Sequence, residues 1–158
     1  MKNDDAMRAL GAADAAAAAA LIRLAFSQLA VAAVPPPSAL GETAEGVAAI
    51  LAKGGGATIA DARGLAGLVL WEPRDGGLYM GRLAVRPDRR GGGLARRLVA
   101  AAEAEARRRG LPRLLLATRL AFTANRRLFA SCGFHETTLH SHPGFSEPTF
   151  VDMEKPLG

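Results

Sequence analysis

The chain has 158 residues, 49% hydrophobic and 22% charged, with a net charge of +5. That length suits one domain, and no bulky apolar run reaches the roughly 18 residues a membrane-spanning helix needs. A single cysteine excludes an intramolecular disulfide framework and a multi-cysteine zinc site.

Residues 1–11 read as a loose start. Asp14 is placed as the N-cap of an alanine-rich helix from Ala15 to about Val31, with Leu21, Leu24, Ala25 and Leu29 along one face. Pro35–Pro37 ends it. A second helix fits Glu42–Lys53. Gly54–Gly56 reads as a turn or flexible connection. Ala57–Ala62 and Ala66–Trp71 follow as strands. Asp75-Gly76-Gly77 is a hairpin signal leading into a strand at Leu78–Val85. Leu94–Arg109 is a helix, closed by three arginines, Gly110 and Pro112. The apolar run Leu114–Thr118 fits a buried strand parallel to Leu78–Val85, a βαβ unit. A short helix from Thr123 or Asn125 ends at Ser131. Phe134–His140 and Thr149–Glu154 read as closing strands. The order is ααβββαβαββ, an α/β (α+β) fold with one mixed sheet and a central parallel pair.

The charge is uneven. Residues 82–127 hold 13 arginines against Asp88, Glu103 and Glu105, a net +10, whereas the segments before and after carry −2 and −3. Such a segment fits an anionic partner: nucleic acid, a membrane surface or a phosphorylated cofactor. A solvated basic surface is the plain alternative.

Within it, the strand Leu83-Ala84-Val85 runs through Arg86-Pro87-Asp88-Arg89 to Arg90-Gly91-Gly92-Gly93. That turn opens directly into the helix Leu94-Ala95-Arg96. A helix start presents N–H groups with no intrahelical partner, at the positive end of the macrodipole. Glycines allow positive φ and close approach of an oxyanion. Arg90 and Arg96 flank the turn. The whole is suited to a phosphate or pyrophosphate. No Lys-Ser or Lys-Thr follows, so it is not a P-loop. A dinucleotide fingerprint wants a small residue where Arg96 stands.

The segment resembles the pyrophosphate motif of the GNAT superfamily of N-acyltransferases, Arg/Gln-x-x-Gly-x-Gly/Ala, through Arg90, Gly93 and Ala95. Asn125, Leu128-Phe129 and Gly133-Phe134 resemble that family's second motif. The resemblance spans about residues 66–136. It implies acetyl-CoA as donor, a primary amine as acceptor and splayed parallel strands around the pantetheine arm. It implies backbone contacts from Leu83, Ala84 and Val85, with the Leu83 N–H polarising the thioester carbonyl. It implies pyrophosphate contacts from Arg90, Gly91, Gly92, Gly93, Leu94, Ala95 and Arg96, and a cofactor contact from Asn125. It also allows a homodimer.

The chain departs from the pattern in three places. The tyrosine that commonly protonates the leaving thiolate is Phe129 here. Asn125 lies three residues before Leu128, whereas many relatives have six, at the place of Phe122; Asn125 is also a candidate helix N-cap. The glutamate that serves some branches as base is replaced by Tyr79. Strand alternation puts Tyr79, Gly81, Leu83 and Val85 on one face, so Tyr79 is a candidate to orient a water or contact substrate. Cys132 is a further candidate acid, with an inert buried thiol as the alternative. Glu72, beside Trp71 near a sheet edge, is an alternative base. His140 and His142 line the acceptor site or stand exposed. Without a Cys or acidic partner at ligand spacing they imply no metal. The Pro35–Gly41 loop and the first helix are expected to wall the acceptor pocket.

Three functions compete: an acetyl-CoA-dependent N-acetyltransferase, a degenerate acyl-CoA-binding sensor or scaffold, and a nucleic-acid-binding module. The last predicts aromatics among the arginines, and residues 82–121 contain none. With no secretory leader pattern at the start, the cytoplasm is the expected compartment, with neither nucleic acid nor membrane as partner.

Overall fold

The computed structural model describes residues 6–29 and 33–158. The elements are β1 (Ala6–Ala9), α1 (Ala15–Ser27), α2 (Ala44–Lys53), β2 (Gly55–Asp61), β3 (Gly64–Arg74), β4 (Gly77–Val85), α3 (Leu94–Arg108), β5 (Arg113–Arg119), α4 (Thr123–Ser131), β6 (His135–His140) and β7 (Phe150–Pro156). The seven strands form one mixed sheet in the order β1-β2-β3-β4-β5-β7-β6. Only β4 and β5 pair in parallel. The α/β class and the central parallel pair are therefore as the sequence predicts. None of the described helices is long and apolar enough to cross a membrane.

Several boundaries differ, each for a local reason. β1 lies inside the predicted loose start. Its side chains are exposed, so no hydrophobic alternation marks it. Backbone pairing with β2 holds it instead, aided by the Leu10 N–H to Gly56 carbonyl bond of 3.0 Å. Helix α1 ends at Ser27, and the predicted end near Val31 lies outside the described residues. Asp14 does not cap α1 with its side chain. Its carboxylate turns back to the Gly11 N–H at 2.8 Å and to Arg8 at 2.9 Å. Helix α2 starts at Ala44 because Thr43 caps it, accepting the Gly46 N–H at 3.0 Å. Gly55 and Gly56 belong to β2 rather than to a free turn. A Cβ on Gly56 would lie 2.5 Å from the Val69 carbonyl, so the close approach of β3 requires glycine there. Strand β3 runs on to Arg74 and lies between β2 and β4, so Trp71 and Glu72 are not at a sheet edge. The β3–β4 hairpin turns on Asp75 and Gly76, both at positive φ (53° and 77°), as a two-residue type I′ turn requires.

The sheet has a core on each face. On one, α3 and α4 cover Val69, Leu78, Met80, Leu114 and Leu116. On the other, α1 and α2 cover Leu68, Leu70 and Ala84. Two irregularities in β4 shape the centre of the sheet. Its parallel pairing with β5 is limited to Leu78 with Leu114 and Tyr79 with Leu115; beyond that the strands part. The β3–β4 register also shifts between Leu68 and Leu70, where Arg82 takes φ 56°. The extra residue reverses the alternation of side chains. Leu78 and Met80 face α3 before the bulge, and Leu83 and Val85 face it after. Tyr79 therefore lies on the opposite face from Leu83 and Val85, which corrects the single-face expectation.

Candidate active site

A cavity of about 580 Å³ occupies the gap where β4 and β5 diverge. Leu83, Leu116, Thr118, Asn125 and Phe129 line it from the α3/α4 side, and Phe26, Pro36, Glu72, Tyr79 and Arg119 from the α1/α2 side. It thus passes through the sheet. The Arg86 N–H bonds the Ala66 carbonyl of β3 at 2.8 Å. Successive backbone N–H groups of a strand point to opposite edges. Those of Val85 and Leu83 accordingly point toward β5, whose pairing has already ended. Ala84 is turned the other way. Its backbone pairs with Leu68 and its side chain is buried against the α1 core. It is not among the residues that line the cavity.

Beyond β4, Gly91 and Gly93 adopt φ 80° and 84°, and Gly93 is the N-cap of α3 with no side-chain cap bond. The N–H groups of Leu94, Ala95 and Arg96 belong to the first turn, where an α-helix supplies no acceptor. No protein atom lies within 4 Å of a Cβ built on Gly91 or Gly93, so a bound group has open access to the backbone. The Leu94 side chain is buried in the core and only its backbone faces outward. Arg90 is exposed, and its Nη2 reaches the Ala25 carbonyl at 3.5 Å. The approach to this turn is held rigidly. Arg86 binds Asp61 at 2.6 Å and Asp88 at 2.6 Å, and Arg89 binds Asp61 at 2.7 Å. The Arg86 hydrogen bond, the Arg63 N–H and Arg89 hold the Asp61 carboxyl well below the usual carboxylate range.

Asn125 is the third residue of α4, not its cap; Phe122 holds the cap position. The Asn125 amide makes no hydrogen bond among the described residues and lines the cavity. Phe129 also lines it, so the place of the expected tyrosine carries no hydroxyl. Cys132 lies outside the cavity at the C-cap of α4. Arg96 Nη1 is 3.8 Å from its Sγ. This places it beside the start of α3 and not among the residues that line the cavity.

On the α1/α2 side, Arg74 lies over the Tyr79 ring at 3.8 Å and binds Glu72 at 2.9 Å. Glu42 is 8% exposed. It pairs with Arg82 at 2.8 Å, and Arg82 also reaches the Ser38 hydroxyl at 3.3 Å. The bulge thereby ties the loop that walls the cavity to β4. His142 lines the cavity, and its Nδ1 bonds the Thr149 hydroxyl. Burial, with the nearby Arg119 charge, pushes the His142 pKa below its ordinary 6.5, leaving the ring neutral at pH 7. His140 pairs with Asp152 at 2.7 Å and stacks on Phe150, an acidic partner that spacing along the chain does not reveal. Arg119, Arg82, Arg74 and Thr118 are among the lining residues that sequence reasoning misses. The only signal for Arg119 is its place at the end of a parallel strand.

Residues 38–134 match the sequence profile of the acetyltransferase (GNAT) family. No curated protein matches the chain. Among solved structures, the fold is similar to that of the PaiA N-acetyltransferase of Thermoplasma acidophilum in complex with coenzyme A. There the TM-score is 0.81 and the identity 13%, over 98% of this chain and 100% of that one. A GCN5-related N-acetyltransferase of Rhodopseudomonas palustris gives TM-score 0.78 at 20% identity, over 99% and 98%. The ribosomal-protein-S18-alanine N-acetyltransferase of Escherichia coli gives 0.67 at 20%, over 96% and 93%. The family profile covers more than half of the sequence, on a fold with a parted central strand pair and a glycine-rich helix start, and so the chain belongs to the GNAT family as an acetyl-CoA-dependent N-acetyltransferase.

Proposed function

We propose that the protein transfers the acetyl group of acetyl-CoA to a primary amine of a small molecule or peptide by direct attack. The observation that carries this reading is a cavity open through the sheet where β4 and β5 part, toward which strand alternation from Arg86 turns the Leu83 N–H. The donor enters from the α3/α4 side and the acceptor from the α1/α2 side. The pyrophosphate rests on the N–H groups of the Gly91–Arg96 turn, with Arg90 and Arg96 beside it. Asn125 bonds the pantetheine arm. The neutral amine attacks the thioester carbon, forming the C–N bond, and the carbonyl oxygen becomes an oxyanion held by the Leu83 N–H. The nitrogen becomes cationic and therefore acidic, and His142 takes its proton. In the tautomer that donates Nδ1–H to the Thr149 hydroxyl, Nε2 holds the accepting lone pair. Collapse of the oxyanion breaks the C–S bond. A thiol pKa of about 8.5 makes the thiolate a workable leaving group, so water can protonate it although Phe129 cannot.

Thermal unfolding with acetyl-CoA tests the first half of this reading. At a ligand concentration about 100-fold above Kd the folded state gains about 2.7 kcal/mol, a rise in Tm of roughly 5–10 °C for a chain of this size. No rise at millimolar acetyl-CoA refutes the placement of the cofactor. Release of CoA thiol across an amine panel tests the second half. A Tm rise without thiol release from any amine identifies a binding scaffold instead.

A further inference from the structure

Most of the basic segment is neutralised within the fold. Arg86 and Arg89 share Asp61, Arg108 and Arg109 share Glu105, and Arg107 and Arg126 take Glu103 and Glu136. Arg119 is placed differently. It lines the α1/α2 side of the cavity, and no carboxylate reaches it among the described residues. Its one hydrogen bond among them is Nη2 to the Pro36 carbonyl at 3.1 Å. A guanidinium has five donors in a planar fork matched to a carboxylate, so most of this one is unused. Burial lowers the Arg119 pKa, as befits a partly desolvated cation served by one carbonyl.

The other charges around the cavity are satisfied. Arg74 is held by Glu72, and Arg82 by Glu42. Glu72, Arg74, Arg82 and Arg119 together leave the lining positive at neutral pH, since His142 is neutral. A polycationic acceptor would meet repulsion there. The remaining walls on this side are mainly apolar, with Phe26, Pro36, Ile50 and Phe150, and the hydroxyls of Ser38 and Tyr79 among them. Position matters as well. Counting from the Leu78–Leu114 pair and allowing one bulge residue, Thr118 is level with Leu83 across the gap. Arg119 is the next residue, close beside the point of acyl transfer.

We propose that the acceptor is an apolar amino acid whose carboxylate is clasped by Arg119 while its amine faces the Leu83 gap. The proposal rests on the N-acetyltransferase reading above and adds the acceptor class to it. One anionic group on the acceptor satisfies the unpaired guanidinium, and its apolar body fills the walls.

The test uses matched acceptors: phenylalanine, leucine and methionine, their carboxamides, and their decarboxylated amines. CoA thiol release is measured with the intact protein, alongside acetyl-CoA affinity by calorimetry. The free amino acids are expected to exceed their carboxamides and decarboxylated amines at least tenfold in kcat/KM. Arg119→Gln should raise the amino-acid KM at least tenfold and erase the preference over the carboxamides, with the acetyl-CoA Kd unchanged. Arg119→Lys should retain part of the preference, and it keeps the test valid if the glutamine variant does not fold. Transfer to the decarboxylated amines equal to or above that to the amino acids overturns the proposal and leaves the N-acetyltransferase reading standing. So does an unchanged amino-acid KM in Arg119→Gln. Acetyl-CoA binding with no thiol release from any amine overturns both.

Discussion

Gly93 offers a direct test of the proposed pyrophosphate position. Replacing it with aspartate puts a carboxylate at the N-cap of α3, and replacing it with asparagine puts the same shape there without charge. Nothing lies within 4 Å of a Cβ at this position, so either side chain has room. The residue has φ 84°, a left-handed conformation that asparagine and aspartate tolerate better than other side chains. Both variants therefore share a modest loss of stability, and their comparison isolates the charge. Two unit charges about 4 Å apart repel by about 1 kcal/mol in water and about 4 kcal/mol at an effective dielectric of about 20. Gly93 is exposed, so the water end dominates. Against a pyrophosphate, about 1–3 kcal/mol is expected, a weakening of roughly 5- to 150-fold. Calorimetric titration of acetyl-CoA into the two variants gives the ratio of Kd values. The ratio should shrink as salt is raised, because the Debye length falls to about 8 Å at physiological ionic strength. Equal Kd values for folded Gly93→Asp and Gly93→Asn refute the placement of the pyrophosphate at this turn.

Two more outcomes are expected on the acceptor side. Because burial and Arg119 depress the His142 pKa, the ring is neutral above its lowered value and becomes protonated only on the acid side of 6.5. The kcat/KM of the wild type should fall as pH drops through that acid window, and His142→Gln should lose this limb along with about 100-fold or more of its rate; an unchanged acid limb in the variant removes His142 as base. Glu42→Gln removes the charge of a buried carboxylate that holds the partly buried Arg82 guanidinium, and loosens the loop around Ser38. A loss of about 2–4 kcal/mol is expected, seen as a Tm lower by roughly 5–15 °C, together with a raised acceptor KM; a Tm within about 2 °C of wild type, on the order of the smallest resolvable loss, shows that the pair carries no such weight.

The donor half of the site is legible in the sequence because it is local. A strand, a glycine-rich turn and a helix start succeed one another from Leu83 to Arg96, and contiguous residues need no tertiary assembly to declare their geometry. The glycines forecast positive φ, and Gly91 and Gly93 adopt it. The hairpin at Asp75-Gly76, the parallel pair and the absence of a hydroxyl at Phe129 are readable for the same reason. β1 is not, because an exposed edge strand held by backbone bonds leaves no side-chain pattern.

The half proposed for the acceptor is readable only in part: the resemblance points to the first helix, the Pro35–Gly41 loop, Glu72 and His142, but not to Arg119, because that half is assembled across the chain. Phe26, Pro36, Glu72, Arg119 and His142 come from α1, β3, β5 and two loops, and only the fold brings them to one side of the gap. One bulge at Arg82 puts Leu83 and Val85 on the face opposite Tyr79, since a single inserted residue reverses every later side chain. Charge shows the division most plainly. The sequence by itself determined that residues 82–127 carry an excess of arginine and that a glycine-rich turn opens one helix there. Only the tertiary structure decided which arginines are spent on carboxylates distant in the chain and which, like Arg119, are left facing a cavity. A guanidinium's partner is set by distance in space, and composition does not contain that distance.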